Sequence, residues 1–335
     1  MKDKFHGVSF APYTKHQQPG DQLSCKVIER RIAKIAPYFK WVRIFSTTEG
    51  HEFIPPIAKR YGLKTMVGAF IDNDTKKNKL ELNNLIDLCN QGYVDLASIG
   101  NESLHSQFVD LIELGRIRDR VKNNIPFDVP VGFCAIDWEY EHYPELLDMF
   151  DVNMIHVYPF WEYYPIEESI ERLNEKYYHA KELANGKRVI ITESGWPSQG
   201  EFYVDSPSIE NSFHYFKESQ QWAQENDVEI FHFNSFDESW KDKDCRSHRT
   251  GGVVEAYWGI WDSDEKIKPL FDKLFVEKKF KHRDKVRDYL KMRINMLCEE
   301  RDKNNDEVAH MVIDKCVGEL CYVMEYMERE FNNTK

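Results

Sequence analysis

The chain contains no run of about 18 uninterrupted apolar residues, and its opening segment, MKDKFHGVSFAPY, lacks the apolar core of a secretory leader. No membrane partner is therefore expected. A cytoplasmic location is the expectation for the chain as written, although a secreted chain already trimmed of its leader would read the same way. Positive charge is also short: the formal net charge is −12, which argues against a nucleic-acid partner, since phosphate binding needs a basic field. All of that excess falls on residues 1–275, because the segment from Val276 onward carries 13 basic and 13 acidic residues.

Other absences narrow the chemistry. The seven cysteines (25, 89, 134, 245, 298, 316 and 321) are odd in number, scattered and without a Cys-x-x-Cys pair, so neither a disulfide framework nor a zinc site is indicated. No strand-like run is followed by Gly-x-Gly-x-x-Gly or Gly-Lys-Ser/Thr, which removes the usual nucleotide-binding signatures. The acidic triplet DND at 72–74 lacks the glycine and glutamate that a calcium loop requires, and reads as a solvated turn. No cofactor and no metal are expected. There is no low-complexity tract and no internal repeat.

What is present is a regular alternation. Eight short β-rich runs occur at residues 6–11, 41–45, 64–70, 95–100, 129–134, 153–158, 188–192 and 228–233. Between them, the segments 24–38, 80–90, 104–122, 166–184 and 208–225 carry apolar residues three and four apart, the period of helices that pack on a sheet. Ser24 is a candidate cap for the first, and Asn185-Gly186 ends another. Eight strands alternating with helices predict a (β/α)8 TIM barrel over residues 1–275; an open doubly wound sheet is the alternative. Residues 276–335 predict an αα-hairpin extension, with helices at 277–300 and 306–331 joined by RDKNND. One apolar stripe runs Val286, Leu290, Ile294, Leu297; the other runs Val308, Val312, Cys316, Leu320, Val323, Met327. Such stripes expect cover, from the outside of the barrel or from a second copy in a homodimer.

In a barrel of this kind chemistry is carried at the C-terminal ends of the strands. Those ends hold Arg43, the segment GNES (100–103), Asp137 with Trp138, Tyr158, TESGW (192–196) and FDESW (236–240). Glu102 and Glu193 thus stand at the fourth and seventh strands. Two carboxylates facing each other across a cleft suit glycosidic bond cleavage, in which one donates a proton to the leaving oxygen and the other acts at the anomeric carbon.

The segments SIGNES, VIITESGWPS, FHFNSFDESWK and VEAYWGIWDSDEKIKP resemble signature segments of family 17 glycoside hydrolases, the β-1,3-glucanases and related glucanosyltransferases. GVSFAPY, VRIFS and HVYPFW follow in the same order, so the resemblance covers roughly residues 5–275. It implies a retaining mechanism on a β-glucan poly- or oligosaccharide, with Glu193 as nucleophile and Glu102 as general acid/base. It also implies that Arg43 and Tyr158 hydrogen-bond the nucleophile, that Asn101 meets the sugar 2-hydroxyl, and that Glu238 and Lys241 contact substrate. Tyr13, Trp138, Trp161, Trp196 and Trp240 are candidate aromatic platforms for sugar rings, and Asp137 completes the expected lining. A glucanosyltransferase would keep both glutamates. A non-catalytic sugar-binding barrel would be expected to have lost one.

Overall fold

The computed structural model describes residues 4–200, 207–243, 253–303 and 306–332. Eight parallel strands close into a barrel in strict chain order: β1 (Phe5–Ser9), β2 (Phe39–Ile44), β3 (Lys64–Ala69), β4 (Leu96–Asn101), β5 (Val131–Ile136), β6 (Val152–His156), β7 (Arg188–Ser194) and β8 (Ile230–His232), with β8 pairing back to β1. The open-sheet alternative is thereby excluded. Apart from Lys64 and Arg188, which open β3 and β7, every strand residue is buried or half-buried, because parallel strands are covered on both faces.

The lower barrel interior is filled by Trp41, Met66, Leu96, Cys134, Val152, Met154, Ile190 and Phe231. Gly7 on β1 makes room for this layer. A Cβ there would stand 2.5 Å from the Phe231 ring, so only glycine lets that ring occupy the barrel.

Around the barrel run α1 (Cys25–Ile35), α2 (Ile54–Arg60), α3 (Thr75–Asn90), α4 (Leu111–Lys122), the short α5 (Glu139–His142) and α6 (Glu145–Met149), α7 (Ser169–Leu183) and α8 (Ile209–Glu225). Outside the barrel, Phe5, Phe39, Phe216 and Phe271 interlock, with the Phe5–Phe216 centroids 4.8 Å apart and near-perpendicular. Such a pair contributes about 0.5–1.5 kcal/mol beyond its burial.

Local signals explain where the expected helix limits shift. Ser24 occupies the N-cap of α1 in extended backbone, but its side chain makes no capping bond. Helix α4 starts at Leu111 rather than at residue 104, because Asp110 accepts from the Glu113 amide at 2.8 Å and caps it. Asp74 of the DND triplet likewise accepts from the amides of Lys76 and Lys77 and begins α3 five residues early. Asn185 and Gly186 both take positive φ, as the end of α7 requires.

The chain divides into two compact units, Met1–Asp272 and Lys273–Lys335. The second is an αα-hairpin formed by α9 (Phe271–Lys303) and α10 (Glu307–Asn332), tied by an Arg301–Asp314 ion pair at 3.0 Å. On α9 the expected stripe holds, with Leu290 buried and Val286, Ile294 and Leu297 half-buried. On α10 the stripe is displaced: Ile313, Val317, Leu320, Met324 and Met327 are half-covered, whereas Val308, Val312, Cys316 and Val323 are exposed. Both sets share the helical period, so sequence spacing alone could not choose between adjacent faces. Six of the cysteines are free thiols; Cys245 lies outside the described residues. Among the described residues no helix is long and apolar enough to cross a membrane.

One buried group gives the barrel a pH-dependent stability. His232, at the end of β8, packs on Phe216 at 4.8 Å, and neither of its ring nitrogens has a hydrogen-bond partner among the described residues. Burial, helped by the Lys268 charge, pushes its pKa down to about 3. The folded state therefore holds this ring neutral while the unfolded chain protonates it near about 6.5. Stability from this source is present above that value and is lost as pH falls, by about 1.4 kcal/mol per pH unit. We expect His232→Leu to melt several degrees higher, relative to the parent, at about pH 4.5 than at about pH 8. An equal difference at both pH values would contradict the assignment.

Candidate active site

The two predicted glutamates meet at the C-terminal mouth of the barrel. The local folding that aims them is visible in the strand register. Pairing is regular until the strand ends, where it shifts between Ser98 and Asn101 on β4 and between Ile191 and Glu193 on β7. Bulges of this kind turn a side chain out of the wall pattern and into the mouth. Glu102 itself takes φ 52°, a left-handed conformation that costs a non-glycine residue energy, and its amide is anchored on the Cys134 carbonyl at 2.8 Å. After β7 the chain must pass tightly beside Phe233: a Cβ on Gly195 would lie 2.1 Å from that residue's carbonyl oxygen.

Glu193 is buried and held from three sides. Arg43 Nη1 donates to its Oε1 at 2.6 Å, Tyr158 donates to its Oε2 at 2.6 Å, and His156 Nε2 stands 3.2 Å from Oε1. Burial by itself would push this carboxyl up, but the charges of His156 and Arg43 and the Tyr158 hydrogen bond outweigh it and hold the group below the usual carboxylate range. Tyr158, buried against that anion, keeps its hydroxyl proton far past its ordinary value. The second arm of Arg43 donates to Asn101 Oδ1 at 2.6 Å. A guanidinium has no acceptor, so the amide oxygen must face it and Nδ2 is the atom left for a ligand.

Glu102 is half-buried, and its Oε1 is 2.6 Å from His156 Nδ1. One ligand atom from each of Glu102, His156 and Glu193 lies within 4.8 Å of the others. These three could formally surround a cation. However, the two ring nitrogens of His156 are turned to different carboxylates, and Glu193 already accepts from a guanidinium and a phenol, so no common centre is left to coordinate.

These groups open into a cleft of about 1130 Å³. Tyr13, Asn101, Asp137, Tyr158, Glu238, Trp240 and Lys241 line it, as expected, together with Trp138 and Trp161. Trp138 is 40% exposed, with its ring edge-on to His105 and His142. Asp137 pairs with Lys176 at 2.5 Å, and Glu238 accepts from Lys241 at 2.7 Å and from Asn234 at 2.9 Å. Tyr13 is carried by a loop whose carbonyls at Ala11 and Tyr13 both accept from the buried Arg31 at 2.8 Å.

Two expected lining residues are placed otherwise. Trp196 is fully buried, packed against Phe160 at 5.1 Å and Tyr215 at 5.8 Å, and braces the β7 exit instead of facing the cleft. Arg43 lies beneath the cleft floor and touches Glu193 and Asn101, not the opening. The loops after β7 and β8 are locked together by Lys268, which donates to Ser198 at 2.6 Å and Asp237 at 2.7 Å.

Sequence reading missed His156, Glu255 and Trp258, all of which line the cleft. Burial and the nearby charges of Glu238, Glu193 and Glu102 push the Glu255 carboxyl up, against the opposing charge of Lys241. His156 stands in HVYPFW, two positions before Tyr158. A histidine at the end of an apolar strand was the available signal.

The profile of the BtgE/BtgC glycoside hydrolase domain matches residues 7–259. The chain belongs to this family of glycoside hydrolases. A glucan 1,3-beta-glucosidase of Candida albicans is 25% identical over 241 residues, covering 65% of this chain and 76% of its own. One from Schizosaccharomyces pombe is 24% identical over 285 residues, 78% and 85% of the two chains. Among solved structures, a glycoside hydrolase family 17 beta-1,3-glucanosyltransferase from Rhizomucor miehei superposes with a TM-score of 0.69 at 22% identity, over 80% of this chain and 96% of that one. An active-site mutant of that enzyme was solved in complex with laminaritriose. The family 17 resemblance read from SIGNES and TESGWPS is thus borne out, and this glycoside hydrolase shares the barrel of those enzymes.

Proposed function

We propose that this glycoside hydrolase cleaves β-1,3-glucans with retention of anomeric configuration, using Glu193 as nucleophile and Glu102 as acid and then base. The observation that carries the reading is the spacing: a carboxylate oxygen of Glu102 lies within 4.8 Å of one of Glu193. Retaining enzymes hold their carboxyls about 5–5.5 Å apart, whereas inverting ones leave about 6.5–9.5 Å for a water. The glucan preference is supported by relatives named as glucan 1,3-beta-glucosidases and by the laminaritriose complex of a structural neighbour.

The chemistry follows from the contacts. Glu193 is kept ionised by Arg43, His156 and Tyr158, so it is ready to attack the anomeric carbon. Glu102, with Oε1 on His156, has no partner for Oε2 among the described residues, and this oxygen carries the proton that goes to the glycosidic oxygen as the C–O bond breaks. The covalent glucosyl ester on Glu193 is then opened by a hydroxyl that gives its proton to Glu102. Asn101 Nδ2 is the donor available to a 2-hydroxyl, a bond that strengthens as the oxocarbenium ion forms.

Whether that hydroxyl belongs to water or to a second sugar separates hydrolysis from transfer. We expect purified protein incubated with laminaripentaose to yield shorter oligomers and glucose even at high substrate. Products longer than the pentaose would instead assign it as a glucanosyltransferase. Binding without any new reducing ends would reduce it to a sugar-binding barrel.

A further inference from the structure

His156 is the one described residue whose side chain reaches both carboxylates, by a hydrogen bond to Glu102 and an ion-pair contact with Glu193. Its Nδ1 lies 2.6 Å from Glu102 Oε1 and its Nε2 lies 3.2 Å from Glu193 Oε1. The ring is only 1% exposed, at the end of β6 between the strands that deliver the two acids. Arg43 reaches Glu193 but spends its other arm on Asn101, and Tyr158 reaches Glu193 alone.

We propose that His156 is a positioning residue whose ring carries a proton on both nitrogens and acts as the shared counter-ion of Glu102 and Glu193 through both halves of the reaction. This rests on the double displacement set out above.

The donor assignment follows from the distances. An unprotonated Nε2 would stand 3.2 Å from the negatively charged Glu193 Oε1, a repulsion offset by the Arg43 Nη2–H at 3.5 Å, the limit of a hydrogen bond. A proton on Nε2 turns the closer contact into an attraction. At Nδ1, 2.6 Å to a carboxylate is a short contact, just under the range of about 2.7–2.9 Å for charge-assisted N–H···O bonds.

The groups facing the ring are Arg43 from β2, Glu102 after β4, Cys134 from β5 and Glu193 from β7. Oxygens of Glu102 and Glu193 lie nearer the ring nitrogens, at 2.6 and 3.2 Å, than the Arg43 guanidinium at 3.5 Å, whose charge Glu193 offsets. Burial opposes the charged ring, but the Glu193 charge, the Cys134 contact and the Glu102 hydrogen bond push its pKa up to about 10.

The function of such a cation lies in where the negative charge goes. With substrate bound, Glu193 is the anion and Glu102 holds its proton on Oε2. In the first half the Glu193–C1 bond forms, the C1–O bond breaks, and the Glu102 proton leaves with the departing sugar. The charge has then crossed from Glu193 to Glu102. In the second half the incoming oxygen bonds C1, its proton returns to Glu102, and the ester electrons return to Glu193. Charge that alternates between two oxygens on either side of one imidazolium keeps its partner throughout. Arg43 and Tyr158 serve only the Glu193 end.

The test uses two substrates and one spectrum. His156→Asn should lower kcat on the order of 10²-fold, with KM little changed, both for a laminari-oligosaccharide, where a poor leaving group makes the first half limiting, and for dinitrophenyl β-laminaribioside, where the second half limits. Loss on one substrate alone would overturn the shared role. In His156→Ala, added imidazole should restore activity at about pH 6, and not at about pH 8.5 where it is largely uncharged, each relative to the parent at the same pH. Equal rescue at both would overturn the cationic form. In the parent, the histidine 15N signal that disappears in His156→Asn should show two protonated nitrogens at about pH 8; one bare nitrogen there would overturn the proposal even if an alanine variant fails to fold. The spectrum does not depend on turnover, so an inactive parent would sink the glucanase reading while leaving the ring's state still measured.

Discussion

Replacing Glu193 with glycine is expected to reduce turnover of laminari-oligosaccharides by about 10⁴-fold or more, since no other group can form the covalent intermediate. The cleft then holds Arg43 and His156 facing an empty position, and a small anion such as azide fits both the space and the charge. Azide attacks from the face that Glu193 vacated, so the rescued product is the α-glucosyl azide. The variant should also melt lower, because removing one partner of a buried pair costs about 3–5 kcal/mol. Activity assays on protein verified as folded by circular dichroism check this. A β-configured azide product, or turnover near that of the parent, would remove Glu193 from its role.

Replacing Glu102 with alanine should separate the two half-reactions. With a natural sugar leaving group the rate falls by about 10²–10⁴-fold, the usual contribution of a positioned acid. With a dinitrophenyl leaving group, which departs without a proton, Glu193 is still glucosylated, and the ester accumulates because no base activates water. Azide needs no base, so it releases the ester as the β-glucosyl azide. Mass spectrometry of the trapped protein and the configuration of the product read both claims. An unchanged rate on oligosaccharide, or an equal loss on both substrates, would contradict the assignment. Opposite anomers from the two variants are hard to obtain by any arrangement other than nucleophile and acid/base on opposite faces.

The barrel and its two glutamates were legible because their signals are local. A parallel strand buried on both faces reads as an apolar run, and a carboxylate where that run ends has few structural explanations. Other features depended on what lies across space. Trp196 stands three residues past Glu193, yet nothing in TESGW tells whether its ring turns to the cleft or to Phe160 and Tyr215. His156 looked like a strand-end histidine because its two carboxylates arrive from strands 54 and 37 residues away. Glu255 is brought to the cleft by a loop beyond the last strand, where no period constrains the reading. Helix α2 carries Pro55 and Pro56 in its first turn, where amide groups have no intrahelical partner, so the two prolines cost it little. The late start of α4 carried a usable sign, Asp110 with Glu113 three positions on, in the pattern of a capping box.

The spacing of Glu102 and Glu193 is the centre of the account, and the anomer released first reports on it directly. Proton NMR of laminaritetraose hydrolysis, recorded before mutarotation equilibrates the products, should show the new reducing end appearing as the β-anomer, with the α-anomer growing in later. The α-anomer appearing first would mean inversion through a single displacement, and would contradict a covalent role for Glu193.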